Sequence, residues 1–117
     1  MRSAFDRYFA GDVRALDALP VDPGGTPFQA RVWMALREIA PGETWSYEAL
    51  AQRVGSPAAM RAVGAANGAN PIPLVLPCHR VIGKNGKLVG YGGGMERKVW
   101  LLRHEGHDVG AQAALAL

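Results

Sequence analysis

Apolar side chains recur at helical spacing along this chain, in short stretches separated by glycine- and proline-rich breaks. Phe5, Tyr8 and Phe9 share one side of the segment Ser3 to Ala10, which predicts a leader helix, and Leu19 to Gly25 reads as a Pro/Gly linker. Thr26-Pro27 then supplies a capping residue followed by proline at the first helical position. Phe28, Val32, Leu36 and Ile39 fall on one face behind it, until Pro41-Gly42 stops the helix. Ser46 opens the next helix, whose apolar stripe is Tyr47, Leu50, Ala51 and Val54 and whose end is Gly55. Ser56-Pro57 repeats the cap-plus-proline signal and predicts a further helix over Ala58 to Asn67, with Met60 and Val63 facing inward and Gly68 breaking the pattern. Two short helices joined by one glycine-containing turn make a helix-turn-helix candidate, against the commoner outcome of a plain helical hairpin packed in a core.

The pattern changes after Asn70-Pro71. Ile72 to Pro77 is apolar but too rich in proline for a helix, so it predicts a buried extended segment that delivers Cys78 from the interior. Arg80 to Gly83 and Lys87 to Tyr91 flank Asn85-Gly86, which predicts a β-hairpin acting as a basic wing. Gly92-Gly93-Gly94 precedes a last amphipathic helix, Met95 to Glu105, closed by Gly106. The expected fold is mainly α: a winged helix-turn-helix-like domain with a small β-hairpin wing.

Size and composition fit that picture. A chain of 117 residues, 49% hydrophobic and 20% charged, has room for one compact core and the balance of a globular domain. It has no apolar run long enough to span a membrane, Met1 to Asp6 lacks the apolar stretch and cleavage site of a secretory signal, and its single cysteine excludes an internal disulfide. These features predict a cytoplasmic protein. The net charge is only +3, yet eight basic residues (Arg53, Arg61, Arg80, Lys84, Lys87, Arg97, Lys98 and Arg103) stand against the single acid Glu96 between Arg53 and Arg103. That clustering suggests a polyanion partner, with a merely solvated basic face as the other reading. The exposed side of the predicted second helix of the pair is mostly Ala and Gly with Arg61 its one long cation, smooth enough to approach a nucleic-acid backbone.

Reactive chemistry centres on Pro77-Cys78-His79-Arg80, where the only thiol stands beside an imidazole and a guanidinium. A thiolate is the reactive form, and nearby cations favour it. Successive side chains on an extended segment point apart, so a water or a sharp turn must link Cys78 to His79. Three other readings stay open on the residues alone: an inert buried cysteine, a zinc site from Cys78, His79, His104 and His107, and a cysteine protease. The zinc set offers one thiolate at spacings that match no common structural site. A protease needs a separate opposing His, an orienting side chain and an oxyanion hole, which nothing here demands.

Pro77-Cys78-His79-Arg80-Val81-Ile82-Gly83 closely resembles the active-site signature of the O6-alkylguanine-DNA alkyltransferases. The resemblance continues, in order and spacing, through Gly25-Thr26-Pro27-Phe28-Gln29, Gly42 to Tyr47, Arg61 to Asn67, Asn70-Pro71, and Trp100-Leu101-Leu102 with His104-Glu105-Gly106. It covers residues 25–106. Residues 1–24 form a leader and linker whose Phe5 to Gly11 resembles the end of an N-terminal domain that many relatives carry, and residues 107–117 form a tail.

The resemblance implies a mechanism. Glu105, His79 and one water would activate Cys78, which takes the alkyl group from O6 of guanine, and also O4 of thymine, once and irreversibly. Tyr47 would protonate or polarise N3 of the departing base, and Asn70 would brace the turn before the active-site segment. Val81 (with Cys78, through backbone groups), Tyr91, Gly92 and Gly93 would line the base pocket. Arg61 would fill the gap left by a nucleotide flipped out through the minor groove of double-stranded DNA, and Ser56 and Lys84 would contact phosphates. The resemblance implies a monomer, no metal and no cofactor. Another outcome is an alkyltransferase-like protein that recognises the lesion without repairing it. A third is a regulatory helix-turn-helix protein.

Overall fold

The computed structural model describes residues 3–86, 88 and 94–109. It is mainly helical, with elements α1 (Ala4–Phe9), α2 (Pro27–Leu36), β1 (Trp45–Ser46), α3 (Tyr47–Arg53), α4 (Met60–Gly68), β2 (Val81–Ile82) and α5 (Met95–His104). Single 3-10 turns cover Cys78–Arg80 and Lys84–Gly86.

The capping chemistry read from the sequence sets the starts of two helices. The Thr26 hydroxyl accepts from the Gln29 backbone N–H at 3.1 Å while the Gln29 side chain accepts from the Thr26 N–H at 3.0 Å, with Pro27 at the first helical position. Ser46 Oγ accepts from the Ala49 N–H at 3.0 Å and starts α3. That helix ends with Gly55 at φ +80°, the Gly55 N–H on the Gln52 carbonyl and the Ser56 N–H on the Ala51 carbonyl, the paired bonds of a Schellman closure.

Ser56 does not cap α4 as expected: its carbonyl instead accepts from the Ala59 N–H at 2.9 Å. Residues 57–58 form a turn, and α4 starts at Met60 behind Ala59, which makes no side-chain cap. The delay turns Met60 outward, 45% exposed, while Val63 is fully buried as expected. One further expectation, a strand beginning at Arg80, needs correction. Arg80 belongs to the 3-10 turn, and Val81–Ile82 pairs in parallel with Trp45–Ser46, in register Trp45 to Val81 and Ser46 to Ile82. The returning arm of the expected hairpin, Lys87 to Tyr91, lies outside the described residues except for Leu88, which packs near Val99, Leu102 and Val109.

The main core joins Val32, Trp33, Leu36 and Ile39 to Leu50, Ala51, Val63, Ala66, Leu76 and Val81. Trp33 crosses it and donates its indole N–H to the Ala66 carbonyl at 2.7 Å, tying α2 to α4. Gly25, at φ +75°, lies so close to the Trp33 ring that a Cβ there would meet it at 2.6 Å, so glycine is required by both backbone and space.

The leader packs on this body. Past the end of α2, the Arg37 guanidinium donates to the carbonyls of Asp17 at 2.7 Å, Leu19 at 2.8 Å and Leu16 at 3.1 Å. Tyr8 and Leu16 form a second apolar cluster with Leu101 of α5. Among the described residues, no helix is long and apolar enough to cross a membrane.

Candidate active site

Cys78 is buried at the start of a sharp turn rather than on an extended strand. Pro77, with φ −78° and ψ 69°, is the centre of an inverse γ-turn, and the Cys78 N–H reaches back to the Leu76 carbonyl at 2.7 Å. Asn70 fixes the same carbonyl. Its amide Nδ2 donates to Leu76 O at 2.6 Å and its Oδ1 accepts from the Ile72 N–H at 2.9 Å, so one side chain spans the loop that ends at the cysteine.

His79 follows in the 3-10 turn, fully buried, with Nε2 against Oε1 of Glu105 at 2.9 Å. Facing a carboxylate, Nε2 carries the proton, which leaves Nδ1 as the lone-pair nitrogen. Nδ1 is buried and has no hydrogen-bond partner among the described residues. Burial pushes the imidazole pKa below its ordinary 6.5; the contact with Glu105 opposes this, and the charges of Arg80 and Lys98 add to the lowering. The ring is neutral at physiological pH.

Glu105 holds four hydrogen bonds. Oε1 accepts from His79 Nε2 and from Arg80 Nε at 2.8 Å; Oε2 accepts from Arg80 Nη2 at 2.7 Å and from the Tyr8 hydroxyl at 2.7 Å. Burial alone would raise the carboxyl pKa. The hydrogen bonds and charges of Arg80 and His79 outweigh it and hold the group at about 2. Glu105 is aimed by its place in the chain: it caps α5 in a second Schellman closure, with Gly106 at φ +92°, the Gly106 N–H on Arg103 O and the His107 N–H on Leu102 O.

Arg80 departs from its expected part beside the thiol. Its guanidinium is spent on Glu105 and, through Nη1, on the Ile39 carbonyl at 2.7 Å. The buried cation that senses Cys78 is Lys98 of α5, whose ammonium donates to the Val81 carbonyl at 2.7 Å. Burial brings Lys98 down to about 8, against the pull of the Cys78 charge.

Tyr47, at the first position of α3, is near enough to Cys78 to feel its charge. Burial raises its phenol pKa, a hydrogen bond with the Asn67 side chain pulls the other way, and the charge at Cys78 adds to the rise. Val81 is fully buried in β2 next to the turn.

The candidate DNA-facing residues stand apart from this cluster. Arg61 is exposed near the start of α4, Lys84 is exposed in its 3-10 turn, and Ser56 is half-buried between α3 and α4. The basic stretch is thinner at the surface than the sequence suggests: Arg80 and Lys98 are buried, and Arg53 pairs with Glu38 at 2.7 Å. Arg97 and Arg103 are exposed. Tyr91, Gly92 and Gly93 lie outside the described residues. The four-ligand zinc set is not assembled, since His79 faces Glu105 while His104 Nε2 lies 2.6 Å from the Tyr8 carbonyl.

Sequence reasoning missed Tyr8, Lys98 and Asn67 as members of the site. Lys98 was visible only as one cation among eight, and Asn67 as part of a matching run. Nothing in the spacing of Phe5, Tyr8 and Phe9 signals that the middle ring ends on a carboxylate.

The fold and the site define a helix-turn-helix-type domain with a buried cysteine, histidine and glutamate brought together by one turn and one helix end. Residues 27–107 match the family model described as the DNA-binding domain of 6-O-methylguanine DNA methyltransferase. The chain is 61% identical over 100 residues to a methylated-DNA–protein-cysteine methyltransferase of Salmonella typhimurium, a match that covers 86% of this chain and 58% of that relative. Mycobacterium tuberculosis OGT, solved in complex with DNA, superposes with a TM-score of 0.78 at 54% identity, over 87% of this chain and 62% of that one. S. pombe Atl1, solved in complex with damaged DNA containing O6-carboxymethylguanine, gives a TM-score of 0.59 at 34% identity, over 68% of this chain and 75% of that one. The chain belongs to the 6-O-methylguanine DNA methyltransferase family, and it spans less than two thirds of the length of the Salmonella relative.

Proposed function

We propose that this protein repairs alkylated DNA by moving an alkyl group, once per molecule, from O6 of guanine to Cys78. The observation that carries the reading is the buried contact of His79 with Glu105, in the same turn as the only thiol of the chain. Glu105 fixes the Nε2–H tautomer, and the lone pair of Nδ1 takes the thiol proton through a water. The thiolate attacks the alkyl carbon, an S–C bond forms, the C–O6 bond breaks, and the electron pair leaves with the base. Tyr47 supplies a proton to N3, so guanine departs neutral, and the proton on His79 restores the phenol. The thioether has no hydrolysable bond. The protein is consumed, and no metal or cofactor takes part.

The target atom is hidden in a stacked duplex, so the nucleotide must turn out into the pocket, at a cost of a few kcal/mol. Helix α4 is suited to a minor-groove approach because its outward face is small beyond Met60 and Arg61 at its start, and Arg61 is long enough to fill the gap. Ser56 and Lys84 contact phosphates, and Tyr91, Gly92 and Gly93 line the mouth of the pocket with Val81. Residues 25–106 form the transfer domain of a cytoplasmic monomer, and the same chemistry extends to O4 of thymine.

A duplex whose restriction site is blocked by O6-methylguanine tests this. Cutting should return in proportion to protein added, one duplex per chain, and Cys78→Ser should restore none. Binding of the damaged duplex without restored cutting would leave lesion recognition as the function.

A further inference from the structure

Three of the four hydrogen bonds on Glu105 come from His79 and Arg80, both inside the stretch 27–107 that matches the family model. The fourth comes from Tyr8, outside that stretch and 97 residues away in the chain. We propose that Tyr8 is a positioning residue for the relay: its buried hydroxyl completes the shell that keeps the Glu105 carboxylate turned toward His79, so that the leader helix is part of the reaction centre. The inference rests on the alkyl-transfer reading of the site.

The geometry carries it. Tyr8 is fully buried, and its hydroxyl lies 2.7 Å from Oε2. A buried carboxylate has about four acceptor sites, and here all are used, two by Arg80, one by His79 and one by Tyr8. A carboxylate bound on all sides has one orientation, and that orientation presents Oε1 to Nε2.

Tyr8 is itself held from two directions. His104 Nε2 meets the Tyr8 carbonyl at 2.6 Å, and the Tyr8 ring packs edge-on against the His104 ring with centroids 5.0 Å apart. Trp100 stacks on the other partner, His104, at 4.7 Å and 17°. α1 is only six residues long, too short to be stable alone, so its placement comes from these contacts and from the Ser3 capping box. A hydroxyl delivered by so short a helix is accurate only because α5 grips it next to Glu105.

The hydroxyl acts on chemistry as well as on orientation. A carboxylate that loses a neutral donor becomes a stronger acceptor for its remaining partners, and His79 Nε2–H is one of them. The imidazole then holds a second proton more readily. The other charged or titratable groups that face this pair are Arg80 from the turn, Lys98 from α5 and Cys78 beside it.

The test is Tyr8→Phe, which keeps the ring and removes the hydroxyl. Single-turnover transfer to the full chain is followed across pH with saturating O6-methylguanine duplex. Transfer at neutral pH should slow roughly fivefold, and the acidic limb should move up by roughly half a pH unit. Affinity for the duplex should not change. A tyrosine that serves only to pack the leader would lower the melting temperature and leave rate and profile as in the parent, and that result overturns the proposal.

Titration of the His79 imidazole by NMR reads the same shift without any transfer, so a parent protein that failed to alkylate would sink the function while leaving Tyr8 to be judged. An unmoved imidazole overturns the proposal. If Tyr8→Phe does not fold, a ring-fluorinated tyrosine at position 8, a stronger donor, should move the imidazole the opposite way, and no movement again counts against the role.

Discussion

The Nε2 edge of His79 faces Oε1 of Glu105 at 2.9 Å with neither side chain exposed to solvent, and this one contact decides which ring nitrogen is free to take a proton. Because the pair is dry, removing either partner leaves the other without its counterpart in a place where water cannot substitute.

Transfer should persist into mildly acidic solution. Burial lowers the His79 pKa below 6.5, so the base form survives acidification that would protonate a solvated imidazole. Single-turnover rates measured at pH steps should show an acidic limb with its midpoint below 6.5; a midpoint at or above that value would mean that the base is another group.

Acid should weaken the fold by a calculable route. The Glu105 carboxyl lies at about 2 in the folded protein against 4.5 for an ordinary glutamate, so its contribution is fully present above 4.5 and is lost as pH falls toward 2. His79 acts in the same sense from 6.5 downward, since the unfolded imidazole takes up a proton that the buried one resists. Denaturant titrations at neutral and acid pH should show this decline. Glu105→Gln should lose the lower-pH part of it and cost about 3–5 kcal/mol at neutral pH, because Arg80 is left buried without its anion.

Much of this arrangement was legible from residue patterns, and the parts that were not have physical reasons. Thr26 and Ser46 cap their helices because local signals decide helix starts, and Cys78 with His79 stood out as the only thiol beside an imidazole. The start of α4 lies later than the pattern predicts because Ser56-Pro57 opens a separate turn, with the Ala59 N–H on the Ser56 carbonyl, and a cap-plus-proline motif looks the same before a turn as before a helix. The pairing of Val81–Ile82 with Trp45–Ser46 joins distant segments two residues long, too short to carry an alternation pattern. Glu105 entered the site through family resemblance alone. Tyr8 escaped notice because a helical stripe shows which side is apolar and says nothing of where a phenol ends.

Tyr47→Phe should slow alkyl transfer on the order of a hundredfold while leaving duplex affinity and folding nearly intact, since the ring stays and the proton donor is lost. Rapid-quench transfer and fluorescence binding measured on the same preparation separate the two effects. Unchanged transfer would remove the phenol from the leaving-group step.

Asn70→Ala deletes bonds of 2.6 and 2.9 Å that hold the loop before Cys78. The expected loss of stability is about 2 kcal/mol, from two hydrogen bonds at about 1 kcal/mol each, with slower transfer because Leu76 no longer fixes the turn. Denaturation and transfer rates check the two parts separately.

Arg61→Ala should weaken binding to duplex DNA, flatten its salt dependence and leave the melting temperature unchanged, because the side chain is exposed and its only proposed partner is DNA. Binding isotherms at several salt concentrations measure the slope; an unchanged slope and affinity would move the interface off α4.

The central claim is tested most directly by intact-mass measurement of the protein after incubation with an O6-methylguanine duplex, followed by peptide mapping and run beside Cys78→Ala. The account predicts one added methyl per chain, located on Cys78 and absent from the variant. A protein that binds the damaged duplex and gains no mass at any pH, or that gains it elsewhere, would contradict it.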